Sequence, residues 1–154
     1  MKLLTTLKTT TFIAAAMSLS ACATQPEITD PSQTQKAVAV ISSIETGDQS
    51  AISYINPNKY IQHNLAVGDG LAGFGEVMAA LPKGSAKANV VRAFEDGDYA
   101  VTHTEYNFFG PKVGFDVFRF EDGKIVEHWD NLQSIMPMNP SGRTQLDGPT
   151  QVLD

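Results

Sequence analysis

The sequence predicts an α+β domain in which helices precede a four-stranded antiparallel meander, and three observations predict it. As far as about Leu81, apolar residues recur at three- and four-residue spacing. From Ala88 onward the period drops to two. Short glycine-containing turns (Asp96-Gly97-Asp98, Gly110-Pro111 and Glu121-Asp122-Gly123) then cut that second half into strand-length pieces. A chain of 154 residues has room for one domain and one core.

The first helix begins near Gln35 and aligns Ala37, Val38, Ile41 and Ile44 until Gly47 stops it. Asp48 is placed to cap a second, shorter helix carrying Ala51, Ile52 and Ile55, which Asn56-Pro57 closes. A third starts near Gly70, carries Phe74, Val77, Met78 and Leu81, and ends before Pro82. Between them Tyr60 to Asn64 is too short to assign. The strands read Ala88–Glu95, Tyr99–Phe109, Lys112–Phe120 and Lys124–Leu132. The domain therefore spans 35–135. The remainder, 136–154, is rich in Pro, Gly, Asn and Asp and reads as an irregular tail packing on the domain, with room for a short last strand.

Ahead of the domain, Met1 to Lys8 carries two lysines and no acid, and Thr9 to Leu19 is apolar. A run of about a dozen residues is too short to span a bilayer and matches a signal-peptide core. It ends in Leu19-Ser20-Ala21-Cys22, which resembles the bacterial lipoprotein signal, where cleavage precedes a cysteine that is then lipidated. The only cysteine of the chain stands at that position. The expectation is a signal peptide over 1–21, lipidation at Cys22, a flexible tether over 22–34, and a periplasm-facing domain in the bacterial cell envelope, on the outer membrane rather than the inner. The mature chain would have no thiol for a disulfide or a nucleophile. It would carry nine basic residues against seventeen acidic, a net charge of −8. Such a surface disfavours nucleic acid and anionic headgroups, so acyl chains at Cys22 would make the membrane contact.

Which side chains share a face depends on two turns. If Asp122-Gly123 is a two-residue turn, Glu121 pairs with Lys124 and Asp116 lies opposite Trp129. If a glycine bulge follows a type I turn, Phe120 pairs with Lys124 and Asp116 lies opposite His128. The bulge is favoured, because it gathers Asp116, His128 and Asp130 among Phe118, Phe120 and Val126. A Phe109–Lys112 pair at Gly110-Pro111 would add His103 and Glu105 to that face. Tyr106, Phe108, Val113, Phe115, Val117, Ile125 and Trp129 would then form the other. Two apolar faces need helices on one side and a partner on the other, which favours a homodimer.

Two stretches carry a family resemblance. "YIQHNLAVGDG" (Tyr60 to Gly70) and "FDVFRFEDGKIVEHWDNLQ" (Phe115 to Gln133) resemble the SnoaL-like group of the nuclear transport factor 2-like superfamily. "NPSGRTQLDGPT" (Asn139 to Thr150) resembles the closing segment of one branch of it. The resemblance implies a cone-shaped curved sheet whose N-terminal helices enclose a pocket, usually in a dimer. In the polyketide cyclases of the group, a His/Asp acid–base pair drives an aldol closure with no metal or cofactor. The matching positions are His63, Asp116, His128 and Asp130, with His103 on the central strand. Glu105 departs from the pattern, since a second histidine is expected there.

Proton abstraction beside a carbonyl needs a base with a suitable pKa and a donor for the enolate oxygen. Asp116 or Asp130 is the expected base, with His128 and His63 orienting or donating. His103, Glu105, Tyr60, Phe118 and Phe120 are the expected substrate contacts. The histidines could converge with Asp116 on a metal, but nothing has the spacing of a metal motif, and neither metal nor cofactor is expected. The chain has no Gly-x-Ser-x-Gly elbow, P-loop or dinucleotide fingerprint. The expected activity is cofactor-free acid–base chemistry (aldol-type cyclisation, isomerisation or hydrolysis) on a small carbonyl-bearing hydrophobic molecule. The alternatives are a non-catalytic small-molecule-binding lipoprotein and a structural module of the envelope.

Overall fold

In the computed structural model, residues 30–152 are described. The signal segment, Cys22 and the tether up to residue 29 lie outside them. Helix α1 (Gln33–Thr46) starts at Ser32, whose hydroxyl accepts from the Gln35 backbone while the Gln35 side chain accepts from the Ser32 backbone. It stops at Gly47 in a left-handed conformation (φ 70°). The carboxylate of Glu95 accepts from the Thr34 amide at 2.7 Å and ties the helix start to the sheet. Asp48 does cap the next element, by accepting from Ser50, but that element (Gln49–Tyr54) winds as a 3-10 helix. Its six residues suit the tighter winding, which is confined to short runs.

The sheet has six strands: β1 (Ile61–Gln62), β2 (Lys87–Asp96), β3 (Tyr99–Asn107), β4 (Pro111–Glu121), β5 (Lys124–Ser134) and β6 (Gln151–Val152). Their spatial order is β1-β5-β4-β3-β2-β6, a curved, unclosed sheet. The predicted meander is its centre. Each edge is covered by a two-residue strand running parallel to its neighbour, a short edge that leaves little backbone open to pairing. The start of helix α2 (Gly70–Ala80) is tied to the residue just before β1 by a bond from the Gly70 amide to the Tyr60 carbonyl at 2.8 Å. It also approaches the preceding loop so closely that a Cβ on Gly73 would lie 1.8 Å from the Gly68 carbonyl oxygen. Only glycine permits that contact.

Both expected turns are corrected, and the corrections decide the site. Glu121 pairs with Lys124 across Asp122-Gly123, both left-handed (φ 48° and 72°), so the hairpin is the two-residue turn and not the bulge at Gly123. The bulge comes later: Phe120 faces Ile125 but Arg119 faces Glu127, leaving Val126 as the extra residue. That insertion restores the face. His128 and Asp130 share a side with Asp116 and Phe118, although Asp116 faces Asp130 and His128 faces Phe118. At the other turn Asn107 pairs with Pro111, and Phe108-Phe109-Gly110 form the loop in place of a Phe109–Lys112 pair. The Lys112 ammonium donates to the carbonyls of all three loop residues, at 2.8, 3.0 and 3.3 Å, which favours the longer loop. The resulting slip puts Thr102 opposite Asp116 and sends His103 and Glu105 to the outer face. Tyr106 and Ile125 move the other way, into the interior.

The core lies between α1 and the inner face, where Ala37, Val40 and Ile41 pack with Ala100, Phe118, Phe120 and Ile125.

Candidate functional site

Beside this core the inner face opens into a cavity of about 330 Å³. Val40, Ile41 and Ile44 of α1, Phe74, Val77 and Met78 of α2, Phe118 and Leu132 of the sheet, and Phe108 of the loop between β3 and β4 give it apolar walls. Its polar groups are Tyr60, Gln62, Asn64, Tyr106, Asp116, His128 and Asp130. No lysine or arginine lines it among the described residues.

Asp116 is 2% exposed and lies at the centre of the polar set. Its Oδ2 accepts from the Tyr106 hydroxyl at 2.7 Å and from Thr102 at 3.2 Å, and Thr104 donates in turn to Thr102. Tyr106 reaches Asp116 by lying across Gly114, where a Cβ would come within 3.3 Å of its ring. His128 Nε2 stands 3.3 Å from Asp116 Oδ1, its ring stacked on Phe118 at 4.6 Å. The parallel pairing of β1 with β5 brings Gln62 level with His128, and Gln62 Oε1 lies 2.9 Å from His128 Nδ1. Just beyond β1, the Asn64 amide donates to Asp130 Oδ2.

Of the expected catalytic residues, Asp116, His128 and Asp130 converge here and His63 does not. It lies on the outer face, stacked on Trp129 (4.7 Å, 3°), with Nε2 2.9 Å from Glu127. It follows Gln62, so the pairing that turns Gln62 inward turns His63 outward. Of the expected contacts, Tyr60 and Phe118 line the cavity, whereas Phe120 lies in the core away from its wall. His103 stacks on Phe115 behind the sheet, next to Arg92, whose guanidinium donates to the carbonyls of Leu146, Asp147 and Pro149 and pins the tail. Glu105 is also outside, within reach of Asn89 at 3.5 Å. Gln62, Asn64, Thr102 and Tyr106 are the site residues that sequence reasoning missed.

Residues 35–128 match the SnoaL-like domain family, well over half of the chain. The chain belongs to that family. Among curated proteins none matches the sequence. Solved structures share the fold of this SnoaL-like chain at low identity. TsrD from Streptomyces laurentii is 20% identical with a TM-score of 0.54, over 64% of this chain and 86% of that one. An NTF2-like protein of unknown function from Cytophaga hutchinsonii is 16% identical with a TM-score of 0.57, over 69% and 94%. IdmH from Streptomyces antibioticus, provisionally a polyketide cyclase, is 20% identical with a TM-score of 0.51, over 66% and 93%.

Burial shifts three titratable groups of the SnoaL-like pocket, Asp130, Tyr106 and Tyr60. Burial raises the pKa of Asp130, and nearby Asp116 adds to the effect, while Asn64 and His128 oppose it. Only one oxygen of Asp130 is engaged among the described residues, by Asn64. Burial, and then the Asp116 charge, push the Tyr106 phenol well up, so it stays a donor. The Tyr60 phenol is also raised by burial. Asp116, His128 and Asp130 each offer a ligand atom within 4.8 Å of the others, a set that could hold a divalent ion. In this structure one oxygen of each carboxylate is already engaged, Asp116 Oδ2 by Tyr106 and Thr102 and Asp130 Oδ2 by Asn64, while Asp116 Oδ1 faces His128 Nε2.

Proposed function

We propose that the pocket binds a small, neutral, mostly apolar molecule bearing a carbonyl and moves a proton beside that carbonyl, without a cofactor. The observation that carries this reading is the placement of Asp130. Its carboxylate has a raised proton affinity and one unengaged oxygen, at the polar end of an apolar cavity beside the Asp116–His128 pair. Asp130 accepts the α-proton, and Asp116–His128 supplies a proton to the developing enolate oxygen. The enolate then closes on an internal carbonyl or is reprotonated elsewhere, which gives aldol-type cyclisation or isomerisation. Water taken up by the same base would give hydrolysis. With two carboxylates and no lysine or arginine among the described residues that line it, the pocket disfavours anionic substrates. The polyketide-cyclase relative supports the substrate class. The test is solvent exchange: in deuterated buffer the protein should wash out α-hydrogens of apolar cyclic ketones faster than buffer alone. Ketones that bind without any exchange would leave the second reading, a non-catalytic binder. The engagement of Asp116 by Thr102, Tyr106 and His128 favours that alternative.

The same proposal places the domain on a lipid anchor at Cys22, facing the bacterial periplasm. Cys22→Ser should release the protein from the membrane fraction; retention there would count against the anchor. It also places a second copy against the outer face, where Phe94, Tyr99 and Phe115 are 48, 44 and 52% exposed. Light scattering should read twice the chain mass, and Phe115→Asp should halve it.

A further inference from the structure

The hydrogen-bond directions around Gln62 determine where the pocket keeps its mobile proton. A side-chain amide can be turned either way round, so its orientation has to come from its neighbours. The Asn64 backbone N–H points at Gln62 Oε1 at 3.0 Å, and a backbone N–H can only donate. Turning the amide over would set two donors against each other. Gln62 Oε1 is therefore an acceptor, and its other close contact is His128 Nδ1 at 2.9 Å, which must carry a hydrogen. The backbone is fixed as well: Asp69 accepts from the Gln62 amide at 2.8 Å, and the His63 amide donates to the His128 carbonyl at 2.9 Å.

With Nδ1 occupied, Nε2 is the only ring nitrogen free to gain or lose a proton. It faces Asp116 Oδ1 at 3.3 Å, and Oδ2 of the same carboxylate already accepts from the hydroxyls of Tyr106 and Thr102. An unprotonated Nε2 and an ionised Oδ1 would be two acceptors face to face in a buried site. One proton between them resolves the conflict, as imidazolium and carboxylate or as neutral imidazole and carboxylic acid.

We infer that Gln62 is a positioning residue: it locks His128 in the Nδ1–H form, so that Nε2 and Asp116 share a single proton at the edge of the cavity. This deepens the acid–base reading and rests on it for its purpose, but the locked imidazole is a property of the ligand-free protein. Gln62 does not touch the reacting atoms in this scheme; it sets the state of the groups that do.

The test is nitrogen NMR on the full-length chain with labelled histidine, from about pH 5 to about pH 9. His63→Gln and His103→Gln assign the His128 signals. The expected result is an Nδ1 that stays protonated throughout while Nε2 alone responds to pH. Gln62→Leu should move His128 toward the Nε2–H form. Gln62→Glu should keep Nδ1–H and raise the titration midpoint by about one pH unit, as an added charge partner does. An Nε2–H tautomer in the unaltered protein, or a Gln62→Leu spectrum identical to it, overturns the inference. If Gln62→Leu fails to fold, the unaltered protein and Gln62→Glu decide the matter. A locked Nδ1–H form without ketone exchange supports the role of Gln62 and overturns the catalytic reading alone.

Discussion

The two faces of the sheet use the same residue types to different ends. On the inner face, Asp116, His128 and Asp130 are packed among aromatic and aliphatic walls. Asp116 and His128 are almost fully buried, and each polar group is placed by another. On the outer face, His63, Trp129, Glu127 and Arg119 form a ladder of stacking and ion pairs that continues through Glu121 to Lys59. Arg119 and His63 together hold the Glu127 carboxyl below its usual range, the His63 bond contributing most. That ladder stabilises an acid in its charged form, as a solvated structural network does. The inner face instead raises the proton affinity of Asp130. A histidine and an acid in contact are therefore not evidence of chemistry; burial beside a cavity is what separates the two pairs.

Paired substitutions can break this comparison. The largest effect is expected from Asp130→Asn and Asp116→Asn, each lowering ketone exchange by about 10²-fold or more, a typical loss for a general acid or base. Equal rates in the variants and the unaltered protein would remove both from the mechanism. Next comes Tyr106→Phe, which takes a hydroxyl from a buried carboxylate and should cost about 1–3 kcal/mol in denaturant unfolding. A smaller effect concerns pH. Asp130 has a raised pKa in the folded chain, so its contribution to stability falls as pH rises from the unfolded carboxylate range through the folded value. Asp130→Asn should therefore raise the melting temperature at neutral pH, and the gain should vanish in acid, where both side chains are neutral. A gain that grows in acid would contradict the assignment. The smallest effects belong to the outer face. His63→Gln should leave exchange unchanged and move the melting temperature by a few degrees at most, as surface ion pairs do. His103 has its pKa lowered by burial and then by Arg92, so the folded state loses stability as pH falls through the unfolded histidine value. His103→Gln should flatten that decline.

How far the two faces could be read from sequence follows from particular residues. The change of hydrophobic period and the glycine turns were enough for the order of elements, because both signals are local. The inner placement of His128 and Asp130 was expected through a bulge at Gly123, but it arises from a two-residue turn and a bulge at Val126. The two routes lead to the same face by different steps, and an ordinary valine gives no sign that it will be the extra residue. The three-residue loop at Phe108-Phe109-Gly110 flipped His103, Glu105 and Tyr106 together, since one slip reverses a whole strand. The carbonyls gathered by Lys112 are the signal, visible only once the loop is formed. Gln62, Asn64 and His63 depend on β1 pairing with a strand more than sixty residues later, which no local pattern encodes.

The most direct measurement is α-hydrogen exchange of apolar cyclic ketones, run side by side on the unaltered chain, Asp130→Asn and His63→Gln. The proposed mechanism requires exchange above buffer in the unaltered chain and in His63→Gln, and its loss in Asp130→Asn. Loss in His63→Gln with Asp130→Asn still active would put the chemistry on the wrong face of the sheet and contradict it.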